Sequence, residues 1–145
     1  MFGGNYITTL QDQGKVVLFR SRFDTQDIAS LISTSSQKDL VINVEKCTIG
    51  RPESSSGYAA STIWYIVHIV EGGASECIEI RLVDNVINSD FLGRPIHNNS
   101  SEDFTAKVVY CTGNYIKPDT IEWGTFCNLN AAFKLIKDNS AYNGT

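Results

Sequence analysis

Ser61-Thr-Ile-Trp-Tyr-Ile-Val-His-Ile-Val70 is an almost unbroken run of β-branched and aromatic residues, and it stops at Glu71-Gly-Gly-Ala74. The run is too short to span a bilayer and too β-branched to favour a helix. It reads as a strand. Under a period of two, Ile63, Tyr65, Val67 and Ile69 share one face, and Thr62, Trp64 and His68 the other. Both faces are mostly apolar, as expected of a strand covered on two sides or lying in an interface.

Working outward, Leu40, Ile42 and Val44 alternate with Asn43 and Glu45, and Ile78, Ile80 and Leu82 alternate with Glu79 and Arg81. Both segments predict half-buried strands. Phe104 to Cys111 predicts another, with Thr105 and Lys107 on its polar face. Gly50-Arg-Pro-Glu-Ser-Ser-Ser-Gly57 and the Gly72-Gly73 pair predict connections, so 39–111 is expected to form an antiparallel meander of about four to five strands. Residues 86–103, with Gly93 and Pro95, predict a long irregular connection.

The two ends complete the expected layout. Asn5 to Leu10 and Lys15 to Arg20, around Gln11-Asp-Gln-Gly14, predict a hairpin within 1–23. Asp24 caps a short helix over 24–36, with Ile28, Leu31 and Ile32 on one face. Pro118, Asp119 and Glu122 open a terminal helix over 118–138, with Phe126, Leu129, Ala132, Phe133 and Ile136 as its apolar stripe and Lys134 and Lys137 in its last turn. The expected fold class is α+β, in one domain spanning 1–145.

Composition bounds function only loosely. Twelve Lys+Arg against sixteen Asp+Glu give a net charge of −4, which argues against an extended polyanion-binding surface without excluding a basic patch. Met1-Phe-Gly-Gly4 has neither a basic nor an apolar leader region, so no signal peptide is expected. Cys47, Cys77, Cys111 and Cys127 never form a CxxC pair, which predicts buried free thiols and no metal centre. No phosphate-binding loop, dinucleotide fingerprint, zinc-protease or nucleophile-elbow motif occurs. His68 and His97 are the only histidines and have no partner legible in sequence, so neither a catalytic residue nor a cofactor is expected.

A hairpin, a short helix, a meander and a terminal helical region, in this order and at this length, resemble the coat proteins of single-stranded RNA bacteriophages (leviviruses). The likeness is carried by Asn5 to about Val70, and by 119–139, where that family has its helices. The resemblance implies a capsid protein of the virion, assembled in the bacterial cytoplasm with no membrane partner. It would form a homodimer that builds an icosahedral shell and packages genomic RNA on the inner sheet face. That face would comprise Asn43, Thr62, Trp64, His68, Arg81, Thr105 and Lys107, with Arg51 in the adjoining loop. Trp64 would stack on an unpaired base, although Glu45 and Glu79 share the face. Phe126, Leu129, Phe133 and Ile136 would pack across the dimer. The alternative is a β-rich binding or adhesion module, lectin-like or tail-associated, with Arg94, His97 and Asn98 gathered in the 86–103 loop.

Overall fold

The computed structural model describes residues 7–9, 14–23, 28–34, 40–50, 61–70, 78–87, 89–91, 94–99, 105–116 and 126–139. Within them the chain is a parallel β-solenoid. Each circuit visits three sheets in turn. The first sheet holds β1 (Ile7–Thr9), β4 (Ile28–Thr34), β7 (Ser61–Ile69), β10 (Ser89–Phe91) and β11 (Ile96–Asn98). The second stacks β2 (Gly14–Phe19), β5 (Leu40–Glu45), β8 (Glu79–Val83), β12 (Thr105–Thr112) and β14 (Asn130–Lys137). The third is narrow: β3 (Arg22–Phe23), β6 (Thr48–Ile49), β9 (Val86–Ile87) and β13 (Tyr115–Ile116). All of these pairings are parallel.

The interior is built of aliphatic columns. Phe23, Ile49, Ile87 and Ile116 stack down the third sheet, and Ile32, Val67 and Ile96 down the first. In the second sheet Leu40, Ile42 and Val44 lie above Ile80 and Leu82, all buried. The alternations expected of Leu40–Glu45 and of Ile78–Val83 are therefore present. Buried Cys47, Cys111 and Cys127 are free thiols, as expected, while Cys77 lies outside the described residues.

One corner repeats in every circuit. Between the second and third sheets stand Arg20-Ser21, Lys46-Cys47, Asp84-Asn85, Gly113-Asn114 and Asp138-Asn139. The first residue of each pair has positive φ: 47° at Arg20, 54° at Lys46 and Asp84, 70° at Gly113 and 57° at Asp138. From Lys46-Cys47 on, the second is buried and points inward. Asn85 Nδ2 donates to Val44 O and to Asn114 Oδ1, and Asn114 Nδ2 donates to Leu82 O and to Asn139 Oδ1. Asn139 Nδ2 donates to Cys111 O, and the backbone N–H groups of Cys47, Asn85 and Asn114 each donate to the amide oxygen one circuit on. The left-handed bend costs a non-glycine residue about 1 kcal/mol. The ladder offsets it by satisfying backbone groups that a buried corner would otherwise orphan.

The α+β expectation is overturned: no helix occurs among the described residues, and the sheets are parallel. The predicted hairpin is instead two strands in different sheets, β1 pairing β4 and β2 pairing β5. Of the helix predicted over 24–36, the described part, Ile28–Thr34, is strand β4, which β1 and β7 flank. Its adjacent buried Leu31 and Ile32 imitate a helical face. Of the terminal helix predicted over 118–138, Asn130–Lys137 is strand β14, registered on β12 and carrying Ala132, Phe133 and Ile136; Phe126 and Leu129 precede it, and 118–125 lie outside the described residues. Helical propensity is a weak preference, and a preformed strand edge that satisfies every other backbone group overrides it. The expected meander fails because β7 pairs with neither β5 nor β8. The supposed irregular connection at 86–103 contains β9, β10 and β11.

Candidate ligand-binding site

β7 is the strand on which the site is built. The N–H groups of Ile66 and Val67 both donate to Pro95 O, each at 2.9 Å, so β7 bulges there against the fourth circuit. A bulge inserts one residue and re-aims its neighbours. Ile66 and Val67 are both buried, and Tyr65 comes to the side of His68. This departs from strict alternation, which put Tyr65 and His68 on opposite faces.

Three rings then gather. Tyr65 stacks on His97 with centroids 4.6 Å apart and planes 10° apart. His68 lies 4.6 Å from Tyr65 and 5.6 Å from His97, and Trp64 lies 6.2 Å from Tyr65. The register explains the assembly, because His97 sits beside His68, and His68 beside Ser33, on adjacent strands. Below the rings Ser30 and Ser33 are buried. Arg94, half-buried, acts on the same group. It opposes the upward push of burial on the Tyr65 phenol and, after burial itself, holds the His97 imidazole down to about 4. His68 contributes further to that depression, while a hydrogen bond with Asn99 resists it. Burial also lowers the His68 value. Near neutrality both imidazoles are uncharged, and the cluster's cationic charge is that of Arg94.

Chemically this is a recognition surface: flat rings, neutral imidazole nitrogens and one guanidinium. His68 Nε2 is shielded from solvent and has no hydrogen-bond partner in the structure. No cluster of three or more metal-ligating side chains occurs among the described residues. Asn98 and Asn128 extend the edge of the surface, joined by two hydrogen bonds of 2.7 and 3.0 Å.

The residues expected to form one RNA face separate onto two sheets. Asn43 and Arg81 are neighbours on the outer face of the second sheet, and Thr105 and Lys107 are exposed on β12. Trp64 and His68 belong to the first sheet. Thr62 lies in β7 with its side chain outside the described residues, as is Arg51 altogether. Glu79 sits 3.6 Å from Arg81 and 3.8 Å from Lys107, so the two cations expected to meet phosphate are already paired with a carboxylate. Of the expected dimer-helix residues, Phe126 and Leu129 are buried in this chain's own core, and Ile136 packs against it. Only Phe133 faces outward, 52% exposed. Sequence reasoning placed Arg94, His97 and Asn98 together but missed Tyr65, whose side-change depends on the bulge. Pro95, beside Ile96 in Gly93-Arg-Pro-Ile-His97, was the available signal.

Comparisons with protein-family models, with curated proteins and with solved structures gave no match, so the site's own geometry is what bears on function.

Proposed function

We propose that this chain is a saccharide-binding β-solenoid module that takes acidic sugars on the outer face of its first sheet. The observation that carries the proposal is the half-buried cluster of Tyr65, His68 and His97 with Arg94 acting on it. Ring faces and edges suit the alternating C–H and hydroxyl surfaces of a sugar. A guanidinium suits a carboxylate or sulfate, which it can hold with two parallel hydrogen bonds. Neutral imidazoles add hydrogen bonds without demanding a second anion.

The capsid reading drew its support from a layout of hairpin, antiparallel meander and helices. The chain does not have that layout, and the reading loses its support with it.

Calorimetric titration of the purified chain with uronate hexasaccharides and with neutral hexasaccharides tests the proposal. Acidic sugars should bind, Arg94→Ala should weaken them at least tenfold, about 1.4 kcal/mol, and neutral sugars should bind poorly. A bound anion favours protonated His97, so affinity should rise as pH falls from about 7 towards 5. Equal binding of acidic and neutral sugars, or none of either by a folded chain, would refute it.

A further inference from the structure

We infer that Lys134 is a stopper, whose inward-turned ammonium keeps the β14 edge from stacking on the β2 edge of a second copy. The inference concerns one end of the solenoid and does not depend on the function proposed for the ring cluster. β14 pairs with β12 along one side, and no described strand pairs with its other side. β2 holds the corresponding place at the opposite end of the same sheet. Such edges present rows of N–H and C=O groups that a further strand can join. In a solenoid the hazard is acute, because each circuit is shaped to receive the next. Head-to-tail contacts of this kind lead to open rows rather than closed dimers.

The columns of the second sheet show how such a junction would fit. Continued by one step, they set Leu135 beside the partner's Val17 and Ile136 beside the partner's Leu18. At the corner Asp138 would meet the partner's Arg20, a pairing of opposite charge. The row that does not match is an interior one. Val16, Ile42, Ile80 and Val109 are in register, and the fifth member of their row is Lys134. Ile42, Ile80 and Val109 are fully buried, whereas Lys134 is exposed, so the row is open to solvent at this end. Stacking would shut the ammonium against the partner's Val16. No described carboxylate pairs with it, and a buried charge without a counter-charge is costly.

The ammonium also occupies acceptors that a further strand would use. Lys134 Nζ donates to Leu129 O at 3.1 Å and to Cys127 O at 3.4 Å. Phe126 O accepts from Ile96 N, and carbonyls alternate sides along an extended chain, so Cys127 O turns to the open edge. Burial pushes the Cys111 and Cys127 thiols up, and the Lys134 charge opposes the push on both. An outward-pointing side chain would not reach these buried groups. An inward-pointing lysine on an edge strand is one of the devices by which sheets refuse a further strand.

Sedimentation velocity of the whole chain, up to about 500 μM, should show the wild type free of end-to-end rows. Lys134→Met removes the charge and keeps the side chain long. It should raise the association constant at least about a hundredfold, giving dimers, trimers and longer rows. Lys134→Arg should behave as the wild type. Val16→Lys puts a charge into the same row at the other end, so adding it to Lys134→Met should return the monomer. Far-ultraviolet circular dichroism checks that each variant keeps its strands. Should Lys134→Met lose them, Lys134→Gln, which drops the charge and keeps a donor for Cys127 O, carries the same test. A folded, uncharged variant as monomeric as the wild type overturns the inference. Association that persists after Val16→Lys overturns it too, because the β2 edge is then not what docks. Wild-type rows that Val16→Lys disperses would show that Lys134 stops nothing.

Discussion

Two regions of this solenoid are built by opposite rules. The corner between the second and third sheets recurs five times with one left-handed residue, followed from the second circuit on by one inward side chain, Cys47, Asn85, Asn114 or Asn139. The outer face of the first sheet is irregular, with a bulge at Ile66–Val67 and rings contributed by two strands. In a solenoid each circuit is held mainly by its neighbours. A corner that every circuit shares therefore fixes the stacking distance for the rest. With spacing fixed there, the opposite side is free to carry insertions and unusual side chains, which is where repeat proteins place binding surfaces. Regularity holds the fold, and departure from it marks the candidate site.

The comparison can be broken most easily at the corner. Asn114→Ala removes an amide whose oxygen accepts from Asn85 N and Nδ2, and whose nitrogen donates to Leu82 O and Asn139 Oδ1. Buried backbone and amide groups are left unsatisfied, so denaturant unfolding should show a loss of about 3–4 kcal/mol. A loss below about 1 kcal/mol would mean that the ladder is decorative. A smaller effect separates the corner's own positions. Gly113→Ala at φ 70° forces the new Cβ onto the Asp84 carboxylate and should cost about 1–2 kcal/mol. Lys46→Gly, at φ 54°, should fall within about 0.5 kcal/mol of wild type, because relief of strain is offset by the entropy of an unfolded glycine.

The effect that belongs to the ring cluster concerns pH. The His97 value is about 4 in the folded chain against 6.5 when unfolded, so between those values the unfolded state binds more protons. Stability should be full above about 6.5, decline as pH falls through that window, and level off below about 4. Allowing for the ring's partial exposure, the decline is about 1 kcal/mol. His97→Gln should flatten it, as followed by thermal melts at pH 7, 5.5 and 4. An unchanged slope would assign it to other groups. Corner substitutions should leave this pH dependence alone, which sharpens the division between the two regions.

Strand identity was legible at Leu40–Glu45 and Ile78–Val83 because burial on one face writes a period of two into the sequence. Periodicity is silent about direction and partner, so the same strands were compatible with a meander. The repeat that would have revealed the solenoid runs through Phe19-Arg-Ser-Arg-Phe23, Glu45-Lys-Cys-Thr-Ile49, Val83-Asp-Asn-Val-Ile87, Thr112-Gly-Asn-Tyr-Ile116 and Lys137-Asp-Asn139. It is only a few residues long, recurs at uneven intervals and, apart from the large apolar fifth residue, varies chemically from one copy to the next. What unites those residues is a backbone angle and an inward direction, neither of which is a residue type.

Ser61–Ile69 shows the same division within one strand. Its β-branched and aromatic composition determined by itself that it would be a strand and that much of it would be buried. Only the tertiary structure decided that its neighbours are parallel, because a strand takes the edge that the preceding circuit offers. Only the tertiary structure, too, brought Tyr65 beside His68 and His97. That rearrangement comes from two N–H groups sharing the Pro95 carbonyl across circuits, a contact between segments about thirty residues apart in the chain.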